Sequence, residues 1–490
     1  MQGKKSHQEK LFIQFQLSDY VPADNFYRQL KKILDLQFLY QSTAGYYGKE
    51  GQKSIDPVVF MKLMLVGYLE NINSDRRIIS TSGMRMDILY FLGYDLGEEL
   101  PWHSTLSRTR KLYGEEQFIA LFKQVLKLCI DEGLISGKRQ AVDSALIRAN
   151  ASKHSMVEKQ VMEDASIYSQ ELNDNSEDDP TPPEKPKGGG SKNDQGKKPV
   201  RSNQTHYSPS DPDARLTMKP GKPMNLYYRS QMSVDTASHF ITYIQAFSGN
   251  AADNISLPEM LSHVIGNMKE NKIQVKEVLA DAGYSSGEAI RALIEHGIEG
   301  YISSPGNYKH SRDNEGFTYD SENDRYTCIK GAHLTLRRIE QSHKKSTILK
   351  KVYESSINDC RSCPLSSTCV SAKGIKKLVD SMDKHLYMHM QQKTESAKGK
   401  QMKLLRSSTV EPVFGSLINY TGLKRMCTKG LKQANKCMLM AAVAYNLKKL
   451  IRHKLTPIQN NIKQLKNGLN NVFIILLDGF SLQYAKSLTF

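Results

Sequence analysis

Three acidic residues stand in settings where carboxylates could do chemistry: Asp143, Asp281 and Glu411. Asp143 lies inside the strand-like run QAVDSALIRANA, and Asp281 closes the apolar run VKEVLADAGY. An acid at the carboxyl end of a buried strand is where open α/β sheets place their sites. Gly283, two residues later, leaves room for a ligand to approach the backbone closely. Glu411 is the one acid in the basic segment around RSSTVEPVFGSL. Phosphodiester cleavage by two Mg²⁺ needs a few carboxylates converging on one point, because hard cations take oxygen ligands and Mg²⁺ keeps much of its water. Each position also has a plainer reading. An isolated Asp at a strand end is commonly a turn or cap residue. Ser408 and Glu411 fit the S-x-x-E capping box, which predicts a helix starting near Ser408 with Pro412 in its first turn.

The elements that must hold these acids can be read from periodicity. Residues 1 to 135 predict an all-helical region. SIDPVVFMKLMLVGYLENI has Asp56 as N-cap and Pro57 at the first helical position. A short basic helix carrying Arg108 and Arg110, a turn at Gly114 and a long helix ending at Gly133 follow. These helices fit a helix-turn-helix DNA reader and a plain bundle equally well. From Gln140 the order is strand, hairpin around DTASH, helix, strand ending at Asp281, helix, strand. That order predicts a mixed α/β sheet with helices packed on it. Ser285 and Glu288 suggest a second capping box. Asp235 reads as a turn acid of the hairpin. The stretch 173–205, rich in Pro, Gly, Ser and charge, predicts disorder.

Charge points to an anionic partner. The 490 residues carry a net charge of +17, and between Lys398 and Lys454 thirteen Lys/Arg face one acid, Glu411. A solvated helix face usually mixes signs, so nucleic acid is the partner this stretch suggests, ahead of membrane. Mean hydropathy is −0.51 and no apolar run approaches the length of a membrane span. No signal-peptide core is seen at the start, which suggests a cytoplasmic chain. Of seven cysteines, Cys328, Cys360, Cys363 and Cys369 cluster. Cys360-x2-Cys363 is half of a zinc-site spacing, with Cys369 a third thiol and Cys328, His333 or His343 a fourth ligand. Free thiols are the other reading.

VDSALIRANAS, LADAGYSSGEA and RSSTVEPVFGSL with the downstream GLKRM together resemble the three signature segments of bacterial insertion-sequence transposases of the DDE type. The resemblance runs from the helical N-terminal region to AYNLKKL near residue 450. It implies a ribonuclease-H-like catalytic core, with the family's acids falling on Asp143, Asp281 and Glu411 and holding two Mg²⁺ (or Mn²⁺) ions. It implies cleavage at the ends of an element and attack of the freed 3′-hydroxyl on target DNA, by a homodimer holding two ends. It implies that the cysteine cluster braces an insertion with a structural Zn²⁺. Asp253 falls where relatives carry an acid that supports the site. Arg406 is placed for a phosphate contact or as a solvated arginine; Lys424, Arg425 and Lys429 are further candidates for contact with DNA, the first two in place of the basic residue that relatives often carry after the glutamate. Relatives often have a basic residue seven positions after the glutamate; here it is Ile418.

The expected organisation is a helical domain over 1–135 that binds DNA ends. The first part of the core spans 136–305, a cysteine-rich insertion 306–395, the C-terminal core helices 396–455 and a tail 456–490. The expected activity is binding of terminal inverted repeats, metal-dependent cleavage and strand transfer. The alternatives are a non-catalytic DNA-binding derivative and a nuclease of the same fold that cuts without joining.

Overall fold

The computed structural model describes residues 15–48, 50, 54–159, 201–219, 221–304, 315–341 and 349–455. Most of the linker expected over 173–205, the tail 456–490 and His343 lie outside the described residues. The chain divides into two compact units. One comprises Met1–Cys129, Tyr420–Gly422 and Met440–Phe490; the other comprises Ile130–Asn419 and Leu423–Leu439.

The first unit is helical. Helix α1 (Pro57–Leu69) begins as its sequence predicts: Asp56 Oδ1 accepts the amides of Val58 at 2.7 Å and Val59 at 3.0 Å, and Pro57 needs no partner there. Phe60, Met61, Leu63, Leu65 and Val66 of α1 are fully buried, so this helix is surrounded on all sides. Around it lie α2 (Asp75–Gly83), α3 (Met86–Leu92) and α4 (His103–Leu112). Helix α5 (Glu116–Asp131) buries Phe118, Leu121, Phe122, Val125, Leu126 and Cys129, a stripe at 3- and 4-residue spacing. Burying each large apolar side chain contributes about 1.5–3 kcal/mol. No described helix is long and apolar enough to cross a membrane.

The second unit holds a mixed sheet with helices between its strands, the α/β class that the order of strands and helices predicts. Its strands are β1 (Arg139–Arg148), β2 (Arg215–Lys219), β3 (Lys222–Asp235), β4 (Ile241–Ser248), β5 (Glu277–Ala280) and β6 (Glu299–Ile302). The order is β4-β3-β1-β5-β6, with β2 paired to the first half of β3. Strands β1, β3 and β4 are antiparallel neighbours, whereas β1, β5 and β6 run parallel. The parallel pairings need crossovers, supplied by α6 (Asp253–Glu270) and α7 (Gly287–Glu295). The hairpin turn is built by Asp235, whose Oδ2 accepts from Ser238 N at 3.1 Å and whose Oδ1 accepts from Gly137 N at 2.8 Å.

A second, antiparallel sheet lies between these crossovers and the last helices. It contains β7 (Phe317–Asp320), β8 (Arg325–Cys328), β9 (His333–Gln341), β10 (Leu349–Ser355) and β11 (Lys377–Ser381), in the order β11-β10-β9-β8-β7. Phe317, Tyr326, Leu334, Tyr353 and Leu378 form its core. Helices α8 (Lys384–Glu395), α9 (Ala397–Tyr420) and α10 (Leu431–Leu455) complete the described chain.

Two expected caps are corrected. Ser408 and Glu411 do not start a helix: α9 runs unbroken from Ala397 with Pro412 inside it. The hydroxyls of Ser408 and Thr409 instead donate back to the carbonyl of Leu405, at 3.1 and 2.7 Å, as Ser and Thr do mid-helix. The cap of α7 is Ser286, accepting from Ala289 N at 3.1 Å, one residue later than the expected box.

Candidate active site

The register of the parallel strands sets the position of the two aspartates. On β1 and β5, Arg139 pairs with Glu277, Gln140 with Val278 and Ala141 with Leu279. Continuing that register by two residues puts Asp143 beside Asp281, with both side chains on the same face because parallel neighbours share their pleat. Asp281 leaves the strand and caps the turn Ala282–Tyr284, its Oδ1 accepting from Gly283 N at 2.9 Å. A Cβ on Gly283 would lie 3.1 Å from Asp281 Oδ1 and 3.2 Å from Asp253 Oδ2, so glycine lets the two acids flank this turn.

Burial pushes the Asp143 carboxyl up. The guanidinium of Arg406 opposes that shift, and the neighbouring charge of Asp281 adds to it. Arg406 Nη1 donates to Asp143 Oδ2 at 2.8 Å. Asp253, at the start of α6, has both carboxylate oxygens engaged: Arg229 Nη1 donates to Oδ2 at 2.7 Å and Gln231 Nε2 to Oδ1 at 2.9 Å. Arg229 also donates to Ser144 Oγ at 3.2 Å, and Tyr284 donates to Gln231 Oε1 at 2.5 Å. Burial, then the charges of Asp253, Asp143 and Asp281, hold the Tyr284 hydroxyl protonated well above its ordinary range. Arg229, Gln231 and Tyr284 were not singled out from the sequence. Their signal was the polar pair inside the apolar strand LYYRSQMSV, since buried polar groups require partners.

Glu411 is not brought to this pair. It is exposed on α9 and lines an open cavity with Arg139, Gln401, Leu404, Ser408 and Pro412. Lys398, near the start of α9, reaches Glu277 at 3.3 Å and Glu299 at 3.4 Å, where β5 and β6 begin. Eight residues on, Arg406 meets Asp143, so α9 runs alongside the strands in their direction. Five further residues carry Glu411 ~7.5 Å along the helix and ~140° around it, away from the face that holds Arg406. Among the described residues, no three His, Cys, Asp or Glu side chains are grouped to hold a metal ion. The carboxylate pair has the oxygen donors a hard cation takes. With Arg406 on Asp143 and Glu411 turned outward, the arrangement as it stands does not fit a bound divalent cation.

The basic residues separate by environment. Lys424, Arg425 and Lys429 are exposed on the loop between α9 and α10. That loop runs beside the end of β1: Met426 N donates to Arg148 O at 2.8 Å and Asn150 Nδ2 to Cys427 O at 3.2 Å. Arg108 is exposed on α4, within 3.2 Å of Ser104 Oγ. Arg110 does not reach the surface expected of a DNA contact. It is 7% exposed and pairs with Asp75 at 2.5 Å. Ile418 is half-buried on α9.

Cys328, Cys360, Cys363 and Cys369 all line one cavity of about 80 Å³ beneath the second sheet, together with Phe317, Leu334 and Leu365. Cys328 and Cys369 pack on that sheet's core. Cys360 Sγ donates to Ser355 Oγ at 3.2 Å. His333 is exposed, its Nδ1 3.1 Å from Thr327 Oγ1. The thiols share a space without being grouped tightly enough to hold an ion.

Two family models match the chain: "Transposase domain (DUF772)" over residues 15–112 and "Transposase DDE domain" over residues 327–451. The second match spans Glu411 and the four cysteines. No curated protein matches significantly. Among solved structures, a piggyBac transposase synaptic complex with hairpin DNA is similar at 11% identity, covering 90% of this chain and 83% of that one, with a TM-score of 0.24. A Mos1 transposase paired-end complex with left transposon end is similar at 9% identity, covering 56% of this chain and 70% of that one, with a TM-score of 0.17. Scores this low carry no inference.

Proposed function

This chain belongs to the insertion-sequence transposases of the DDE type, and from that premise we propose that it binds the terminal inverted repeats of its element, cleaves there and joins the freed ends to target DNA. The observation that carries the proposal is the adjacency of Asp143, in the middle of β1, and Asp281, which directly follows the carboxyl end of the parallel strand β5. Members of the family generally use divalent metals. Asp143, Asp281 and Glu411 are the proposed catalytic set, with Mg²⁺ or Mn²⁺, two ions, as cofactor. Glu411 joins the other two only in a different arrangement of α9.

The DNA path we propose follows the exposed cations. Lys424, Arg425 and Lys429 sit on one loop next to the end of β1, and such residues contact phosphates without reading sequence. Arg406 joins them once it leaves Asp143. Arg108 serves the helical unit, for which end binding is the proposed role. Arg110 supports that unit internally. Arg229, Gln231, Tyr284 and Asp253 hold the floor under the two aspartates. The cysteine cavity is the proposed place of a structural Zn²⁺, since closed thiolate sites brace folds and do no chemistry. A homodimer is proposed for the complex with two ends.

The deciding experiment supplies Mg²⁺, a target plasmid and a duplex bearing the inverted repeats that flank the coding region. A second arm supplies pre-cleaved ends with an exposed 3′-hydroxyl. Joining in both arms, lost in Asp281→Asn, supports the transposase. Cutting without joining replaces it with a nuclease, and binding without either leaves a DNA-binding derivative.

A further inference from the structure

The hairpin of β2 and β3 carries apolar side chains past the core that covers its base. At that base Leu216 faces Leu226, and both are buried. The outer edge of β2 is closed there by Asn203, whose Nδ2 donates to Leu216 O and whose Oδ1 accepts from Leu216 N, each at 2.7 Å. Beyond this pair the cover ends: Met218 is 71% exposed and Met224 41%. The register shifts at this point, so that Met218 stands across from Pro223 and Met224, and Lys219 across from Lys222. A single exposed methionine would mean nothing. Two across from each other near the tip of a two-stranded ribbon, with a lysine beyond each, make an apolar ridge between cations.

The tip is also tied down and crowded with positive charge. Lys222 Nζ donates to Leu146 O at 2.8 Å, which fastens it to β1 three residues past Asp143, ~10 Å along the strand. Burial, and then the charge of Lys219, lowers the Lys222 ammonium. An anion beside the two lysines would relieve that repulsion. Along the other edge of β1 runs the loop of Lys424, Arg425 and Lys429. Arg425 bridges to Arg148, and its Nη2 donates to Asn150 Oδ1 at 3.3 Å. Cations therefore flank the end of β1 from both sides, with exposed Arg148 between them. Two acids on the approach to β2 are already engaged: Asp211 accepts from Gly430 N at 2.9 Å and Asp213 from Leu431 N at 2.8 Å.

We propose that this hairpin is a DNA-contacting ribbon: Lys219 and Lys222 hold phosphates on the two sides of a minor groove, and Met218 and Met224 press into that groove as an apolar wedge. The proposal rests on the reading of the loop cations as the DNA path, which it extends across the end of β1. Two-stranded ribbons fit the grooves of B-DNA, and apolar side chains such as Met that enter the minor groove unstack a base step and bend the duplex by about 20–90°. Charge favours DNA over a second copy of this chain. The tip and the neighbouring loop are both positive in a chain of net charge +17, so two copies meeting there would repel. The lysines give affinity without reading sequence, and the methionines give the bend.

The test uses the full chain and a short duplex carrying the inverted repeat that flanks the coding region, labelled at both ends for energy transfer. Binding is read by fluorescence anisotropy over a salt series, and bending by the transfer efficiency. Lys219→Gln should reduce the slope of log affinity against log salt by about 1, and Lys219→Gln with Lys222→Gln by about 2. Met218→Ser with Met224→Ser should keep the slope, weaken binding about tenfold and straighten the bound duplex. Lys219 is exposed, so its variant reads the charge alone even if Lys222→Gln disturbs β1. An unchanged slope in Lys219→Gln, or no bend in wild type, overturns the ribbon. Lys424→Gln with Arg425→Gln separates the two readings. If it weakens binding and the hairpin variants do not, the DNA path stands and the ribbon falls; if wild type does not bind the duplex, both fall. A DNA-free dimer that the methionine pair dissociates assigns the tip to a second copy instead.

Discussion

Asp143 and Arg406 are 263 positions apart in sequence and meet at 2.8 Å, while Asp143 and Asp281 repel across adjacent strands. The two aspartates should therefore differ in stability although both lie at the site. Asp143→Ala strands a half-buried guanidinium and should destabilise the chain by about 1–3 kcal/mol. Asp281→Asn keeps the cap on Gly283 and removes a like charge, so it should be neutral or stabilising by about 0.5 kcal/mol. Denaturant melts of both variants check this, and equal destabilisation would mean that Asp281 has a structural partner as strong as Arg406.

Gly283→Ala tests the geometry of the turn. Its backbone is not in the left-handed region, so alanine brings no φ penalty. Its Cβ would press on Asp281 Oδ1 at 3.1 Å and Asp253 Oδ2 at 3.2 Å. Displacing a reacting group by a fraction of an ångström costs rate more than stability. The expected outcome is a ~10–100-fold loss of cleavage with a melting temperature within about 2 °C of wild type. Unchanged cleavage rates would show that the position of Asp281 is not critical.

The sheet and the aspartate pair were legible because both depend on local signals. Strand order follows from the hairpin at Asp235 and from alternating strands and helices, and Asp281 follows from where an apolar run stops. Glu411 was less legible. Its S-x-x-E spacing is the same in a helix start and in a helix middle, and only the unbroken run from Ala397 decides between them. The roles of Arg406 and Arg110 were hidden for a related reason. An arginine in a basic stretch looks like a phosphate contact, and its pairing with Asp143 or Asp75 is a long-range fact. The four cysteines share a cavity, as their clustering suggested, but sequence does not give the distances among thiols.

Arg108 and Arg110 sit two residues apart on α4 and should part company when mutated. Arg110→Ala leaves Asp75 without its partner and should cost about 2–4 kcal/mol, below the full penalty of a buried pair because Asp75 is 20% exposed. Arg108→Ala should change stability by less than about 0.5 kcal/mol. On DNA, Arg108→Ala should weaken binding and reduce the salt slope by about 1. Arg110→Ala, measured well below its melting temperature, should leave that slope intact. A normal slope in Arg108→Ala would remove α4 from the DNA path.

Lys62 makes the helical unit sensitive to alkaline pH. Burial, with the charge of Lys31 beside it, lowers its ammonium to about 8, and its Nζ lies 5.3 Å from the centre of the Phe91 ring. The unfolded chain holds this proton up to the ordinary lysine range, so between pH 8 and that range it binds more protons than the folded one. Stability contributed by Lys62 therefore rises with pH through this window and is lowest below it. Lys62→Met should raise the melting temperature by about 1–3 °C at pH 7 and by less at pH 10. A difference that is flat across pH would mean that Lys62 is not desolvated.

The cysteine cavity predicts a metal content. Four thiols around about 80 Å³ leave room for one ion once they converge, and the neighbouring core of Phe317, Tyr326, Leu334, Tyr353 and Leu378 is small. A small core gains most from a covalent-strength brace, so metal should be retained through purification and its loss should be felt locally. Elemental analysis should find close to one zinc per chain, falling to near zero in Cys363→Ser. Removing zinc by chelation should expose the second sheet to limited proteolysis while leaving the first unit's melt in place. Metal-free protein in which Cys328, Cys360, Cys363 and Cys369 all react with a thiol reagent, with the same proteolytic pattern, would establish free thiols instead. The cavity would then be ordinary packing, in which Cys360 serves as the thiol donor to Ser355.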